Sequence, residues 1–437
     1  MLRTTVGIFI VFVFFLSTPV SAKVYIDIDS PAFQRFPVAI PDFKSFGGAD
    51  TLNLSSRFSE DLTAVLKLTG FFRIIEKGAF LEDEATAGIT ADSIEFSEWS
   101  AIRAEYLVKG GFQQSGDDIS AEFRLFDVVN GSLITGKKYW GTVAELKVMI
   151  VKFANEILFA LTGEKGVFDT RIAFVGKTGK KSEIYIINFD GVGLERVSNS
   201  GSLTLLPHWS IDGGQISFTS YARGNPDLYI MDLQTRKKKR VSSYRGLNLS
   251  GPWSPNGKKV LVTLSKDGNE EIYVINFDTK KLRRLTYDPA IDVSPTWSPD
   301  GEKIAFVSNR SGSPQIFVMN SNGEKVRRIT FEGKYNTSPS WSPKGNKIVY
   351  EGTSNGVFQL FAVNEDGNDF MQLTFETGGC EYPTWSPDGR YLAFSSKKNG
   401  RMRLCIINAN GLNLRVLHDG KDFEALYPSW SPRLNLY

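Results

Sequence analysis

A single Gly-x-Ser-x-Gly string is the most familiar hydrolase signature in this chain. It reads Gly352-Thr353-Ser354-Asn355-Gly356. A nucleophile elbow requires a strand before the serine and a helix after it, because the helix amides stabilise the developing oxyanion. This string lies in a polar stretch between two apolar runs, at the place that Ser308–Gly312 occupies one repeat earlier. We therefore interpret it as a turn between two strands.

The histidine content also disfavours acid–base and zinc chemistry. His208 and His418 are the only two histidines of the chain, and neither has partners at a recognisable catalytic or metal-binding spacing. His-Glu-x-x-His, Cys-x-x-Cys and Gly-rich phosphate-loop patterns are all absent. The sequence therefore predicts no enzyme and no cofactor. A secreted propeller hydrolase, or a lectin that binds carbohydrate or peptide, remains the alternative.

Charged motifs in the chain have ordinary structural explanations. Asp212, Asp300 and Asp388 each precede a glycine, as is common in turns, whereas a calcium loop clusters several oxygen ligands within about a dozen residues. The basic run Arg236–Arg240 is interpreted as a solvated hairpin tip. A formal net charge of +3 is too close to balance to indicate nucleic acid as a partner.

Tryptophan recurs with a period that determines the fold class. The spacing is 44 residues, and 45 for the last interval, with a serine after each tryptophan and a proline one or two residues before it: Trp209, Trp253, Trp297, Trp341, Trp385 and Trp430. Each repeat contains short apolar runs separated by turns rich in Gly, Asn and Asp, which predicts four antiparallel strands. Four strands at this period are typical of one blade of a β-propeller. Each tryptophan is expected to be a wedge between two blades.

The two ends of the repeat region complete each other. Arg171–Val175 resembles the second strand of a repeat without its first strand, and Pro428–Pro432 resembles a first strand without its second. We predict five whole blades and one split blade, which together form a six-bladed ring without an open edge. In this register Cys380 and Cys405 lie two strands apart, about 9.6 Å, so we expect two free, buried thiols and no disulfide.

The segment before the ring shows no repeat and predicts a small α/β domain. Helices are expected over Ser56–Leu68 and Val143–Leu161, because their apolar residues have helical spacing and glycines follow them. The strands predicted from the apolar runs are Val38–Phe43, Phe71–Ile75, Tyr106–Phe112, Ile119–Val128 and Leu133–Trp140. We place the domain over residues 23–165 and the propeller over residues 166–437.

Residues 1–22 have the pattern of a secretory signal peptide. Arg3 precedes the apolar run Val6–Leu16, and small residues follow up to Ala22. The run is too short to span a bilayer, so we expect cleavage after Ala22 and no membrane insertion of the mature chain. The mature terminus then alternates apolar and polar residues: Lys23, Val24, Tyr25, Ile26, Asp27, Ile28 and Asp29. This segment could add a strand to a partner's sheet or serve as an edge strand or interdomain tether.

Binding is expected where the loops that enter the innermost strands meet at one mouth of the central channel. These loops differ between repeats, whereas the turns on the opposite face are uniform, and loops free of the fold's demands commonly carry function. The candidate binding residues at this mouth are His208, Asn248, Gly251, Asp292, Val293, Asn336, Thr337, Glu381, Tyr382 and Tyr427.

The repeat motif and the domain order resemble the TolB family of the bacterial Tol–Pal system. The matching features are Pro-x-Trp-Ser-Pro-Asp-Gly, the following Ile-Ala-Phe and Arg-Leu-Thr strands, and the order of signal peptide, α/β domain and six blades. The resemblance implies a periplasmic, non-catalytic adaptor that supports outer-membrane integrity and constriction during cell division. It also implies that the lipoprotein Pal docks at the mouth, as a class of partner that extends to other envelope lipoproteins, with Asn248, Gly251 and Val293 the best matched by position.

The same resemblance assigns a partner to the mature N-terminus. The family's N-terminal strand binds TolA, and Lys23–Asp29 matches its place and alternation. The resemblance therefore favours the partner-binding interpretation of this segment over the tether. We expect the protein to be a monomer.

Overall fold

The computed structural model describes residues 34–47, 50–82 and 88–434. The signal peptide and the candidate TolA-binding strand Lys23–Asp29 lie outside the described residues, so both stay predictions.

The N-terminal domain contains a mixed sheet of six strands. Its order is β3-β1-β4-β5-β6, with β2 paired to β4; β1 is parallel to β3 and β4, and β4, β5 and β6 are antiparallel. The strands are β1 (Phe36–Ala39), β2 (Lys44–Ser45), β3 (Phe72–Ile74), β4 (Tyr106–Ser115), β5 (Asp118–Asp127) and β6 (Ser132–Thr142). The strand expected over Val38–Phe43 is shorter than predicted, because the chain leaves the sheet after Ala39 and the ring of Phe43 stacks on that of Phe58 at 5.1 Å.

Three α-helices accompany this sheet: α1 (Leu54–Thr69), α2 (Phe96–Ala101) and α3 (Leu146–Thr162). Short 3-10 segments occur at Lys77–Ala79, Ala91–Ser93 and Val143–Glu145. The structure confirms both expected helices, and α1 ends at Gly70, whose φ of 72° few other residues adopt readily. Helix α2 was not expected from the sequence, since only one of its six residues, Trp99, is buried.

Six four-stranded antiparallel sheets form the propeller. The first strands of this region are β7 (Arg171–Thr178), β8 (Lys181–Asn188) and β9 (Glu195–Arg196). Five continuous blades follow: blade 1 with β10 (Thr204–Trp209), β11 (Gln215–Ser220), β12 (Asp227–Asp232) and β13 (Lys238–Ser242); blade 2 with β14 (Asn248–Trp253), β15 (Lys259–Leu264), β16 (Glu271–Asn276) and β17 (Leu282–Arg284); blade 3 with β18 (Asp292–Trp297), β19 (Lys303–Ser308), β20 (Gln315–Asn320) and β21 (Arg327–Arg328); blade 4 with β22 (Asn336–Trp341), β23 (Lys347–Ser354), β24 (Val357–Asn364) and β25 (Met371–Gln372); and blade 5 with β26 (Cys380–Trp385), β27 (Tyr391–Lys398), β28 (Arg401–Asn408) and β29 (Arg415–His418).

Blade 6 is the predicted split blade. Strand β30 (Glu424–Trp430) pairs antiparallel with β7, with Trp430 opposite Ile172. Arg171 and Ser431 exchange two hydrogen bonds, each of 2.9 Å, and Arg433 donates to the carbonyl oxygens of Lys165 and Gly166. The two ends of the repeat region therefore close the ring, as the sequence predicted.

The tryptophans are inter-blade wedges, as expected. All six are at least nine-tenths buried, and several donate their indole N–H to the preceding blade. Trp209 donates to the carbonyl oxygen of Ser429 at 3.1 Å, and Trp385 donates to that of Ser340 at 3.0 Å. Burial of aromatic surface from two adjacent sheets thus holds each gap of the ring closed.

The N-terminal domain packs on blades 5 and 6 through one continuous apolar core. Phe71 lies 5.7 Å from the ring of Tyr391, and the Tyr391 hydroxyl donates to the carbonyl oxygen of Thr69. Lys147 of α3 pairs with Asp190 at 2.6 Å.

Cys380 and Cys405 are both free and buried, as predicted, and burial raises the pKa of each thiol to about 12. Among the described residues, no helix has the length and apolar character needed to cross a membrane.

Candidate functional site at the mouth of the propeller channel

Every innermost strand carries an irregularity just before its tryptophan. The pairing with the second strand shifts register at this point in all six blades. In five blades the residue before the proline adopts a left-handed conformation, with φ between 50° and 57°: Leu206, Ser294, Ser338, Tyr382 and Tyr427. A proline disfavours the helical regions for the residue before it, and a non-glycine residue in this region typically costs 1–3 kcal/mol. The repeat therefore maintains backbone strain around one ring of positions.

Blade 2 departs from this pattern. Its sequence is Ser250-Gly251-Pro252, so the proline is displaced by one residue and neither Ser250 nor Gly251 has a positive φ. A Cβ on Gly251 would lie 2.8 Å from the carbonyl oxygen of Leu261. Glycine is therefore required here by the close approach of two strands.

The strained residues line a small cavity at the axis of the ring. Its volume is about 120 Å³, and all six blades contribute to it. Leu206, Ser294 and Ser338 line this space together with Tyr382 and Tyr427, and the two tyrosine ring centroids are 4.2 Å apart. The mouth is thus asymmetric, with aromatic side chains on blades 5 and 6 and small side chains on blades 3 and 4.

A buried carboxyl group lies beneath the aromatic side. Glu351 on β23 is only 4% exposed, and its Oε2 accepts a 2.7 Å hydrogen bond from the backbone N–H of Tyr382. Burial raises the pKa of Glu351 to about 7, and the nearby charge of Glu381 adds to the effect. The pKa of Glu381, itself half-buried, is also raised by burial. Glu351 therefore holds the strained backbone at Tyr382 in place.

His208 lies in the wall of the same cavity and has no catalytic geometry. Protein surrounds the imidazole, although part of its surface still faces the narrow channel, and this burial lowers the pKa of His208 to about 4. The side chain is therefore neutral at neutral pH. It can offer hydrogen bonds and apolar surface to a docked partner but no positive charge.

Three of the candidate residues lie below the mouth surface. Asn248, Asp292 and Asn336 occupy the first position of their innermost strands and are at most 2% exposed. Asn248 accepts hydrogen bonds from Ser242 Oγ and from the N–H of Tyr244, and it donates to the carbonyl oxygens of Tyr244 and Gly246. Asp292 pairs with Arg310 at 2.7 Å. The structure thus gives these three residues a role in holding the loops rather than in contacting a partner.

The other candidates are distributed as follows. His208, Gly251, Tyr382 and Tyr427 line the cavity, whereas Val293, Thr337 and Glu381 are half-buried beside it. The sequence places Leu206, Ser294 and Ser338 in the mouth loops, because each directly precedes a proline, but it does not select them as candidate binding residues. It also missed Glu351, which takes the position of Thr219, Thr263 and Ser395 in other blades.

We expect Asn248→Ala to destabilise the protein rather than only weaken binding. The substitution leaves the Ser242 hydroxyl and the Tyr244 N–H without their acceptor in a buried loop, which should lower the free energy of unfolding by about 2 kcal/mol. Urea denaturation would measure this, with Thr337→Ala on the half-buried neighbouring position of blade 4 as the comparison. Equal midpoints for the two variants and the unmodified protein would contradict the structural role of Asn248.

Motifs considered for chemistry have local roles in the structure. Ser354 ends β23, and Asn355 and Gly356 form a hairpin turn with φ of 51° and 81°, so no helix follows the serine. The ring of His418 stacks on Phe423 at 4.4 Å, and its Nδ1 accepts the N–H of Gly420. Within residues 34–47, 50–82 and 88–434, no group of three or more His, Cys, Asp or Glu side chains is arranged to hold a metal ion.

An α/β domain packed on a six-bladed propeller with a constricted, asymmetric mouth defines a class of ring-shaped scaffold protein. Residues 159–434 match the family model described as the TolB beta propeller domain, and residues 24–134 match that of the TolB amino-terminal domain. The chain belongs to the TolB family.

Individual relatives agree with this assignment. The chain is 46% identical over 217 residues to a Tol-Pal system protein TolB of Syntrophus aciditrophicus, covering 48% of each chain, and 37% identical over 203 residues to one of Desulfosudis oleivorans, covering 46% of each. The chain thus spans about half the length of the curated relatives it matches. The crystal structure of TolB from Acinetobacter baumannii superposes with a TM-score of 0.79 at 26% identity, over 91% of this chain and 97% of that one.

Proposed function

We propose that this protein is a periplasmic, non-catalytic adaptor of the Tol–Pal system, which binds the lipoprotein Pal at the propeller mouth. In this role it supports outer-membrane integrity and constriction during cell division. Other envelope lipoproteins are further candidate partners for the same surface. The proposed organisation is a signal peptide over residues 1–22, an α/β domain over 23–165 and the propeller over 166–437.

The strained ring of residues at the mouth is the observation that carries the proposal. Backbone strain persists where the surrounding structure fixes it, and it is concentrated at binding and catalytic sites. Here five left-handed residues line one cavity, in surroundings that offer aromatic, hydroxyl and neutral imidazole groups. A rigid surface of this kind binds a folded partner without a large ordering cost.

Catalysis is not supported by the groups at the mouth. An acid–base mechanism needs a base within hydrogen-bond reach of the reacting group and a pKa near the working pH. His208 has a pKa far below neutrality, and the carboxylate of Glu351 is occupied by the backbone of Tyr382. A binding role therefore fits the site better than the hydrolase alternative.

A second contact, with TolA, is proposed for the N-terminal segment Lys23–Asp29. Its alternating apolar and polar residues suit addition of a strand to a partner's sheet. The segment precedes β1 by few residues, so it is attached to the α/β domain rather than to the mouth. Two partners could then be engaged at separate places on one chain.

We expect Ser294→Arg to reduce the affinity of the mature protein for soluble Pal at least tenfold. Ser294 is exposed at the rim of the cavity, so an arginine there obstructs the mouth without disturbing a buried contact. Thr279→Arg adds the same charge at an exposed turn on the opposite face of blade 2 and should bind Pal normally. Isothermal titration calorimetry measures both, and equal affinities for the two variants, or no Pal binding at all, would refute the proposed mouth site.

We expect a chain that begins at Gln34 to lose TolA binding and to keep Pal binding. The truncation removes the candidate strand and leaves β1 and the propeller intact. Surface-plasmon resonance with immobilised TolA and Pal domains gives both readouts on one sample. Unchanged TolA binding by the truncated chain would rule out Lys23–Asp29 as the contact.

A further inference from the structure

A large cleft opens between blades 1 and 2. Its volume is about 1090 Å³, and its lining comes from the turns and outer strands on the side away from the mouth. The floor is apolar and includes Ile230, Val241, Ile275 and Phe277, with Trp253 at its inner end. A cleft of this size falls at the upper end of the range typical of ligand pockets.

Comparison of the repeats shows that this gap between blades is unusually open. Ile230 and Ile275 are half-buried. The equivalents of Ile230 in the following blades are at most 4% exposed: Val274, Val318, Ala362 and Ile406. The equivalents of Ile275 are also at most 4% exposed: Met319, Val363 and Ile407. Val241 on β13 is likewise half-buried, whereas its equivalents Leu285 and Ile329 are at most 3% exposed. Apolar side chains that are buried in the next gaps along the ring are therefore partly exposed here.

The open gap lacks a polar contact that bridges the next two gaps along the ring. Between blades 2 and 3, Arg283 of the outermost strand donates to the carbonyl oxygen of Ser321 at 2.9 Å. Between blades 3 and 4, Arg327 pairs with Glu365 at 3.1 Å. The equivalent positions across the open gap are Lys239 and Phe277.

Neither of these two residues bridges the open gap. The side chain of Lys239 has no hydrogen-bond or ion-pair partner among the described residues. Phe277 packs on Trp253 of its own blade, with ring centroids 5.0 Å apart. The gaps between blades 2 and 3 and between blades 3 and 4 thus have an arginine and its acceptor at these positions. The gap between blades 1 and 2 has a lysine and an aromatic ring, which do not bridge it.

The rim of the cleft carries more basic than acidic residues. Six basic residues contribute to its lining, against three acidic ones: Lys237, Lys238, Lys239, Arg240, Lys258 and Lys280, with Asp212, Asp232 and Asp278. Lys238 and Arg240 lie on the other face of β13 from Lys239, where Lys238 Nζ is 5.9 Å from the ring of Phe218 and Arg240 pairs with Asp227. Lys258 pairs with Asp278 at 3.3 Å. The carboxylate of Asp212 accepts bonds from Ser210 and Gly214, and that of Asp232 accepts bonds from Thr235, so both are engaged in their own turns.

The prediction that Arg236–Arg240 forms a hairpin tip is correct for the first two residues and wrong for the others, because Lys238–Arg240 belong to β13.

We propose that this cleft is a second binding site, which takes an extended peptide segment with acidic side chains interspersed among apolar ones. The apolar floor would bury the apolar side chains, and the lysines of both walls would pair with the acidic ones. Lys237 and Lys239 on the wall from blade 1 and Lys280 on the wall from blade 2 are separated along the cleft, which matches charges distributed along a chain. A lipid would instead require one concentrated head-group site and a deep apolar channel, whereas this floor is shallow and half-exposed.

The proposal is tested by fluorescence anisotropy with a labelled octapeptide of alternating Glu and Leu. We expect the mature protein to bind this peptide and to lose at least tenfold in affinity on Lys239→Glu. Lys325→Glu reverses an exposed lysine on the same face of blade 3 and should have no effect. Affinity should also fall with rising salt, because exposed charge pairs are screened.

A double variant tests the cleft without a simple charge reversal. Lys239→Arg with Phe277→Glu copies the Arg327–Glu365 bridge between blades 3 and 4. We expect this double variant to close the cleft and to abolish peptide binding while thermal stability is retained. Pal binding at the mouth should be unchanged in all of these variants, so failure here is separable from failure of the proposed adaptor function. Equal peptide binding by every variant, or binding of phosphatidylglycerol vesicles but not of the peptide, would overturn the proposal.

Discussion

Removal of residues 428–437 should open the propeller and lower the melting temperature by roughly 10 °C or more. The truncation removes Trp430, whose indole donates to Thr170 Oγ1 at 2.9 Å, and it leaves Arg171 without its partner Ser431. Loss of a buried large aromatic side chain costs about 3–5 kcal/mol, and each unpaired buried group adds about 1 kcal/mol. The total approaches the whole stability of an ordinary domain, about 5–15 kcal/mol.

Two tryptophan variants separate ring closure from wedge packing. Trp430 and Trp341 are both 7% exposed, but Trp341 belongs to blade 4, whose four strands are continuous in the chain. Trp341→Ala should therefore cost only the packing energy, while the truncation costs packing and closure together. Differential scanning calorimetry of the three forms measures this, and a truncated protein that melts within a degree or two of the full chain would show that blade 6 does not clasp the ring.

We expect the protein to lose stability as pH rises from about 5 to 8, and Glu351→Gln to remove much of this loss. In the folded state burial raises the pKa of Glu351 to about 7, against an ordinary value of 4.5. The folded state therefore binds this proton more tightly than the unfolded state does, and its stability declines as pH rises through this window. A difference of this size corresponds to about 3 kcal/mol. Glutamine keeps an oxygen to accept the N–H of Tyr382 and carries no charge.

Urea unfolding of both forms at several pH values gives the comparison directly. Above pH 8 the glutamine variant should be the more stable protein, and below pH 5 the two should be similar. Glu324→Gln, on an exposed turn of blade 3, should retain the pH profile of the unmodified protein. Parallel profiles for the Glu351 and Glu324 variants would mean that Glu351 ionises freely in the folded state.

The fold was predictable because a single physical requirement repeats along the chain. Each blade needs a large aromatic side chain against its neighbour, so the spacing of Trp209 to Trp430 gave the number of blades and the split between the two ends. The α/β domain has no such repetition, and its boundaries depend on packing. The early end of β1 and the short helix α2 follow from contacts of Phe43 and Trp99 that no local pattern encodes.

The candidate site was less predictable, because a loop position does not reveal where its side chain points. Asn248, Asp292 and Asn336 were chosen as variable residues at the mouth, yet each is buried among hydrogen-bond partners. Asn248 and Asn336 bond to their own loops, whereas Asp292 pairs with Arg310 of the β19–β20 loop. In five blades the residue before the proline lines the channel and adopts a left-handed conformation. The sequence placed Leu206, Ser294 and Ser338 in the mouth loops, but their left-handed conformation accompanies the shifted pairing of the innermost strands and became apparent only once the register was known.

The split blade also constrains when the molecule can fold. Arg171 and Ser431 meet across 260 residues of sequence, and every other strand of the propeller is synthesised before β30. Closing so long a loop has a high entropic cost, and folds dominated by such distant contacts form slowly. The ring therefore cannot close before β30, its last strand, has been synthesised.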